Sequence, residues 1–576
     1  MKKSRVLVLA SIMILFFSYI LYKLVDIQLI STEQYGPNKV NLLAESVEQR
    51  SSEMVLSTGR GVLLDRNNIP LNNDIKKDVV LFPFLQSISL PKDITSELTD
   101  LSYNWKQKLK NEKEPVYLSE LIGKEVDDAL YNTLKEAAIP GMVAVQRTES
   151  EDPKIATHLQ GLVRSNPEQF NKRYEGDSKQ RKTQPLGISG IEKTFDPFLL
   201  SEKEEKLMYH VDAKGNPLLG LDLRYTGAQD AFYPLKIQTT IDSQAQKMVE
   251  KVFEKYKVEK GGLVLLDIDS REVLSLVSKP NINLDKPYKN DSLKNQMLTT
   301  HFPGSVFKTV VAAAAIESDQ ESINSSYNCN LDLYGEEASE RQLGTLTFEQ
   351  SFAQSCNYTF AEIGNKLVNQ NVTILDDYAN KLGLLGPVGW SGDVYHYDNF
   401  SQLPDEEVGH VWGNEHDPYV EKAIKQTSIG QKEVKVTPLA MANMMATIAS
   451  DGLKQPVTVV KSILYNNNTT MKEFTSNKEI ENTIKPETAG ALQKLLEGVV
   501  ENGTGNRLKP LPIAGKSGTA QTGKEDHYNH WFVGYFPKDD PKYAMVVVDL
   551  QQTYEKAKTY DIYKEVASNL LSDQKK

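Results

Sequence analysis

The chain has 576 residues and a formal net charge of −11, from 66 Lys and Arg against 77 Asp and Glu. At roughly 150 residues per domain, two to four domains are expected; 40% hydrophobic and 25% charged residues are ordinary for a folded, water-facing protein and exclude collagen, mucin-like stalks and wholesale disorder. The acidic balance argues against nucleic acid as a partner, because phosphates require a basic surface, and two cysteines, Cys329 and Cys356, are too few for a disulfide scaffold or a four-ligand zinc site.

Lys2, Lys3 and Arg5 precede an uncharged run from Val6 to Tyr22. Its 17 residues make about 25 Å of helix, near the lower limit for a membrane span. The basic flank places Met1 in the cytoplasm by the positive-inside rule, so everything after about residue 30 is expected outside. The run is longer than the apolar core of a signal peptide, and no small-residue cleavage site follows it, which favours a retained anchor. No second segment is apolar enough to span, so a multi-span transporter is excluded and a single-pass protein of the cell membrane is expected.

Residues 31–55 are polar and read as a juxtamembrane linker or exposed helix. Residues 60–72 predict strand, turn, strand, with Asn67 and Asn68 able to take positive φ. Helical patches lie within 117–137, and the charged run 172–184 reads as a solvated loop. A second region begins near residue 231. It opens with an alternating strand (235–242) and a helix (243–256) capped by Ser or Asp. Two apolar strands, 261–269 and 272–279, form a hairpin by pattern. Helical text dominates 305–450. Three strands follow at 513–522, 530–536 and 543–550, with Trp531 and Phe532 as core residues, and the chain ends in a helix. The expected division is a tip and anchor (1–30), a linker (31–55), a mixed α/β non-catalytic pedestal (56–230) and an α/β catalytic domain (231–576).

In Ser305-Val306-Phe307-Lys308, a helix starting near Pro303-Gly304 puts Ser305 and Lys308 on one face. The lysine amine can then act as the base that a serine needs to become a nucleophile. The pattern S-x-x-K alone is weak. It also occurs at Ser89–Lys92, with a proline in the turn, and at Ser572–Lys575, in a charged tail. Only Ser305 stands at a Pro-Gly entry to a long apolar helix. Ser355-Cys356-Asn357 lies in a polar break between apolar segments, where a hydroxyl and an amide can relay a proton and hold a substrate carbonyl. Lys516-Ser517-Gly518-Thr519 lies on a predicted strand. There Gly518 is expected to let a substrate backbone approach, and Lys516 with the hydroxyls of Ser517 and Thr519 to bind a carboxylate.

These motifs, in this order, form the penicilloyl-serine transferase signature. The sequence resembles a class B, monofunctional high-molecular-weight penicillin-binding protein over nearly its whole length. Arg60-Gly61 through Asn67, Gly187 through Glu192, Thr240-Ile241-Asp242, Gly430-Gln431 with Thr437-Pro438-Leu439, and Asn502 through Gly505 are similar to further elements of that class. Asn68 stands where the family has Gly, and His301-Phe302-Pro303 where it has an aromatic followed by two prolines. The resemblance implies a dimerisation-like pedestal and a transpeptidase domain with a central antiparallel sheet, flanking helices and an all-helical lobe. It implies D,D-transpeptidation of peptidoglycan stem peptides, acylation by β-lactams, no metal or organic cofactor, and other wall-synthesis membrane proteins as partners. Ser305, Lys308, Ser355, Asn357 and Lys516 are its implied catalytic residues, and Ser517, Gly518 and Thr519 its implied substrate contacts. The backbone N–H groups of Ser305 and Thr519 are the implied oxyanion hole.

Three other functions share these motifs: a β-lactamase, a D,D-carboxypeptidase using water as acceptor, and an idle ligand-binding sensor or scaffold. The external pedestal speaks against the first, and the five-residue cytoplasmic tip against the last. Cys356 is expected to be a small buried residue, with a disulfide to Cys329 or a reactive thiol as alternatives. The loop 393–417, with His396, His410 and His416 among Asp405, Glu406, Glu407 and Glu415, matches no compact metal-ligand spacing and reads as a solvated loop.

Overall fold

A computed structural model describes residues 2–37, 39–42, 50–71, 73–150, 152–174, 184–201, 204–212, 214–218, 224–226, 232–337, 342–475 and 483–573. The N-terminal helix Lys2–Val25 continues as a π-helical segment, Asp26–Ile30. Leu7–Ile30 is long and apolar enough to cross a membrane, and it is the one such helix among the described residues.

Backbone contacts divide the chain into two units. The first comprises 1–59, 74–150 and 201–229; the second comprises 60–73, 151–200 and 230–576. This replaces the single expected cut near residue 230 with an interleaved division. Within the first unit, Ser51–Ser57 pairs antiparallel with Glu205–His210, so the end of the expected linker is a strand. A second sheet orders Val116–Tyr117, Asn73–Leu81 and Met142–Ser150. Helices Leu118–Ile122 and Asp128–Glu136 fall within the predicted 117–137 patches. Trp105, Leu98, Leu109 and Leu118 are fully covered in that unit's core.

The second unit is built on a five-stranded antiparallel sheet. Its strands are β1 (Gly261–Asp267), β2 (Val273–Lys279), β3 (Ala514–Gln521), β4 (Tyr528–Phe536) and β5 (Tyr543–Gln552), in the order β2-β1-β5-β4-β3. Apolar residues run continuously along β1, β4 and β5 because both faces are covered. Trp531, Val533 and Tyr535 of β4 face a helical core with Val546 and Val264. Phe532 and Phe536 face the other way, against the helix Ser243–Tyr256 and the C-terminal helix. Asp242 caps Ser243–Tyr256 by accepting from the N–H groups of Gln244 and Ala245.

The helical lobe contains α1 (Lys308–Ser318), α2 (Phe348–Gln354), α3 (Asn357–Gln370), α4 (Pro438–Ala449) and α5 (Pro486–Asn502); α6 (Thr559–Asp573) closes the chain. Every residue of α1 from Lys308 to Ala315 is buried, as expected for a helix apolar on all sides. Two hairpins interrupt this lobe: Ser326–Asn328 with Thr345–Thr347, in the stretch expected to be mainly helical, and Ser391–Val394 with Tyr397–Ser401, which falls largely in the expected loop 393–417.

The interleaving has an ionic basis. Arg60 is buried and donates to Glu192 at 2.6 Å and to Asp196 at 2.8 Å. Asp196 also accepts from Arg173, Tyr174 and the Gly187 N–H. Burial opposes the charge on Arg60, but Glu192 and Asp196 outweigh it and raise its pKa. Val62–Leu64 then runs parallel to Lys236–Thr239. Asp65 accepts from Ser243 and from the N–H groups of Asn67 and Ile69, and Asn68 takes φ 65° in the turn. Lys172 and Arg173 end a helix, Pro167–Arg173; most of the charged run, 175–183, lies outside the described residues. Arg60→Met removes the buried cation shared by Glu192 and Asp196, leaving Arg173 as the ion-pair partner of Asp196, and is expected to cost about 3–5 kcal/mol. Equilibrium unfolding of the full chain measures this, and a loss below about 1 kcal/mol would show the network to be peripheral.

Candidate active site

The turn that carries Ser305 follows from Gly304. Its φ of 56° is open to glycine, and a Cβ there would meet the Thr519 carbonyl oxygen at 2.4 Å. Residues Gly304–Phe307 form a 3₁₀ turn leading into α1, and the Lys308 N–H donates to the Ser305 carbonyl. In a 3₁₀ turn, side chains three apart eclipse, so Ser305 stands above Lys308 more directly than an α-helix would place it. Ser305 is half-buried, and Lys308 is wholly inside.

The turn is held from two sides. The Gly304 N–H donates to the Gly430 carbonyl at 2.9 Å, and the Gln431 amide donates to the Thr519 carbonyl at 3.4 Å. Trp531 is buried as expected and also donates its indole N–H to the Phe302 carbonyl at 3.0 Å. Gly518 has a packing task. A Cβ at that position would meet the Pro303 carbonyl at 2.4 Å and Val306 at 2.7 Å. Its missing side chain lets β3 pack onto the turn that carries Ser305.

Ser355 is the left-handed C-cap of α2 at φ 58°, and Asn357 begins α3. A non-glycine residue in this region is strained by about 1–2 kcal/mol. Thr347 and Gln350 form a capping box at the start of α2. Cys329 and Cys356 are joined by a disulfide, so the expectation of a small unpaired Cys356 is corrected. The bond ties the residue between Ser355 and Asn357 to the end of the first hairpin, where the Cys329 N–H donates to the Gly344 carbonyl.

Lys308, Ser355, Asn357 and Lys516 meet in one cluster. The Lys308 amine donates to the Ser355 carbonyl at 2.9 Å and to Asn357 Oδ1 at 2.7 Å, and lies 3.2 Å from Ser355 Oγ. The Lys516 amine lies 3.1 Å from the same Oγ and 3.0 Å from the Ser517 carbonyl. One hydroxyl therefore stands between two lysine nitrogens. Along β3, Lys516 and Gly518 are buried while Ser517 and Thr519 are half-exposed on the other face. Ser517 Oγ lies 2.7 Å from Thr504 Oγ1, and Tyr560 on α6 donates to the Thr504 carbonyl at 2.9 Å. The sequence singled out the turn Asn502–Gly505 but not this contact, and nothing local marks Tyr560.

The acidic residues of the loop 393–417 have structural partners. Asp405 pairs with Lys193, Glu407 accepts from Thr300, and Asp417 is bound by Gly413, Asn414 and Lys432. Glu406 is buried and accepts from the N–H groups of Val388 and Gly389, while its Oε1 has no partner among the described residues. Burial pushes its pKa up to about 7 against the pull of those two bonds. The folded state therefore holds a proton that the unfolded chain has lost, so this group's contribution to stability declines as pH rises from about 4.5 to about 7. The decline amounts to about 3 kcal/mol. Burial lowers His158 and His301 to about 4, which acts in the opposite direction below pH 6.5. Glu406→Gln compared with the unmutated chain isolates the carboxyl, and the stability difference should grow from pH 5 to pH 8. A pH-independent difference would refute it.

Residues 261–572 match the profile described as the penicillin binding protein transpeptidase domain. The chain is 24% identical over 564 residues to Stage V sporulation protein D of Bacillus subtilis, covering 93% of this chain and 80% of that one. It is 26% identical over 351 residues to peptidoglycan D,D-transpeptidase PbpA of Mycobacterium tuberculosis, covering 54% and 66% of the two. A chain of the solved structure described as "Structural coordination of polymerization and crosslinking by a peptidoglycan synthase complex" shares the fold. Its TM-score is 0.66 at 22% identity, over 98% of both chains. The matched profile spans more than half of the sequence and contains all three motifs of the site, and the chain belongs to the penicillin-binding protein transpeptidase family, in its class B branch.

Proposed function

We propose that this chain is a serine-type peptidoglycan D,D-transpeptidase. The observation that carries the reading is the Ser355 hydroxyl standing between the amines of Lys308 and Lys516, beside the turn that presents Ser305. Lys308 takes the proton of Ser305 as its Oγ attacks the carbonyl of the penultimate D-alanine of a stem peptide. The N–H groups of Ser305 and Thr519 stabilise the oxyanion; one such donor is typically worth about 3–4 kcal/mol. The C–N bond then breaks, and Ser355, supplied through Lys516, protonates the departing nitrogen. D-Alanine leaves, and Ser305 carries the acyl group. An amine of a neighbouring stem attacks that ester, a new amide forms, and the proton returns to Ser305. Asn357 positions the substrate amide, and Ser517 and Thr519 meet the terminal carboxylate. β-Lactams acylate Ser305 by the same first step, with the amine tethered.

The helix within residues 2–30 anchors the chain, with Met1–Arg5 in the cytoplasm and the catalytic unit outside, where other membrane proteins of wall synthesis are its partners. The test is incubation of the full chain, in detergent, with stem pentapeptides bearing an acceptor amine. Cross-linked dimers should appear with one D-alanine released per link. D-Alanine without dimers would make the chain a carboxypeptidase, and fast turnover of penicillin a β-lactamase.

A further inference from the structure

Ser517 can meet a carboxylate in two ways, and they are not equivalent. A serine hydroxyl has one proton and two lone pairs. If that proton is committed inward, to Thr504 or to the Tyr560 hydroxyl, which also hydrogen-bonds Ser517, Ser517 shows only lone pairs to an anion, which repels it. If Thr504 donates instead, the Ser517 proton is released outward. The 2.7 Å contact between the two oxygens allows either sense, and a carboxylate selects the second.

Thr504 is fixed for this purpose from three elements. Its N–H donates to the Ala353 carbonyl in α2, and the Gly505 N–H donates to the Val499 carbonyl in α5. Its own carbonyl accepts from Tyr560 of α6. Gly503 makes the approach to α2 possible, since a Cβ there would meet the Ala353 carbonyl at 2.1 Å. The Tyr560 ring packs on Phe532 at 5.4 Å, with the Arg507 guanidinium 5.8 Å above it. Burial raises the Tyr560 pKa, with Ser517 working against the rise, so the phenol stays a neutral donor.

Resting on the functional reading above, we infer that Thr504 and Tyr560 are positioning residues that aim the Ser517 hydroxyl proton at the substrate carboxylate. Thr504→Val keeps the shape and removes the donor; Thr504→Ser keeps the donor; Tyr560→Phe releases the Thr504 carbonyl. Acylation of the full chain in detergent is measured with benzylpenicillin and with its methyl ester, which lacks the anion. Thr504→Val should slow acylation by benzylpenicillin about ten-fold, through weaker initial binding rather than a lower saturating rate, and leave the ester within about two-fold. Thr504→Ser should restore the unmutated behaviour, and Tyr560→Phe should shift the same ratio in the same direction by about three-fold. An equal loss on both ligands, no loss on either, or a Thr504→Ser variant as poor as Thr504→Val would overturn the inference. If benzylpenicillin does not acylate the unmutated chain, the functional reading itself fails, a result distinct from any of these.

Discussion

Ser305→Ala is expected to abolish covalent labelling by penicillin while the chain stays folded. Removal of a serine nucleophile costs on the order of a million-fold in related acyl-transfer chemistry, equivalent to about 8 kcal/mol of barrier. No packing change at a half-buried position has that reach: deleting one exposed hydroxyl costs at most about 1–2 kcal/mol of stability. The backbone of the turn does not depend on the Ser305 side chain. It is set by Gly304, by the Gly430 carbonyl and by the close fit of Gly518 against Pro303. The other two S-x-x-K matches supply an internal control. Ser89 and Lys92 are separated by Pro91, which stands at the N-cap of the helix Lys92–Leu101, with Lys92 as its first residue. Ser572 donates back to carbonyls of its own helix. The measurement is mass mapping of the adduct after labelling the full chain with a fluorescent penicillin. Labelling that persists in Ser305→Ala at another residue would overturn the assignment.

The parts of this molecule that were legible in the sequence are those determined by short-range pattern. The hairpin of β1 and β2 and the three C-terminal strands declare themselves because sheets covered on both faces need unbroken apolar runs. The helix Ser243–Tyr256 shows its apolar spacing and its Asp242 cap. The motif residues could be singled out because each element sets residue types at a fixed offset. Ser305 and Lys308 share one turn, and Ser355 and Asn357 flank one helix junction. What stayed hidden depends on distant pairing. Arg60 and Glu192 are 132 residues apart, and their contact decides which unit each segment joins. Cys329 and Cys356 lie 27 residues apart, with nothing in the text between them to favour a bond over two thiols. The two hairpins within the helical lobe use strands of three to five residues, largely exposed, too short for alternation to register. The packing of Gly518 stayed hidden because its neighbour across the gap, Pro303, is not visible from β3 alone. Tyr560 reaches Thr504 from α6, 56 residues later in the chain, and tyrosines on amphipathic helices carry no local mark of a role.

The second large effect is expected at Lys308, with a different one at Lys516. Two partners of the Lys308 amine, the Ser355 carbonyl and Asn357 Oδ1, accept hydrogen bonds and cannot donate. They fit the N–H groups of an ammonium and of a neutral amine alike, and a base acting on Ser305 has to be the neutral form. The Ser355 hydroxyl also lies against Lys516. Two ammonium groups converging on one hydroxyl oxygen would repel each other. With Lys308 neutral and Lys516 charged that repulsion is absent, and Lys516 donates to the Ser355 hydroxyl. In the proposed mechanism, Ser355 and Lys516 give the route by which a proton moves once Lys308 has taken one from Ser305. Lys308→Met should therefore lower the acylation rate at saturating β-lactam by about a thousand-fold, within the range for loss of a positioned base. Lys516→Met keeps that base but removes the cation beside the carboxylate site, so it should slow carboxylated ligands about ten-fold more than decarboxylated ones. The measurement is the acylation rate of each variant with both ligand types across pH. Normal acylation by Lys308→Met would remove the base from the mechanism. An identical response of both variants to loss of the carboxylate would show that the two lysines do not divide the work in this way.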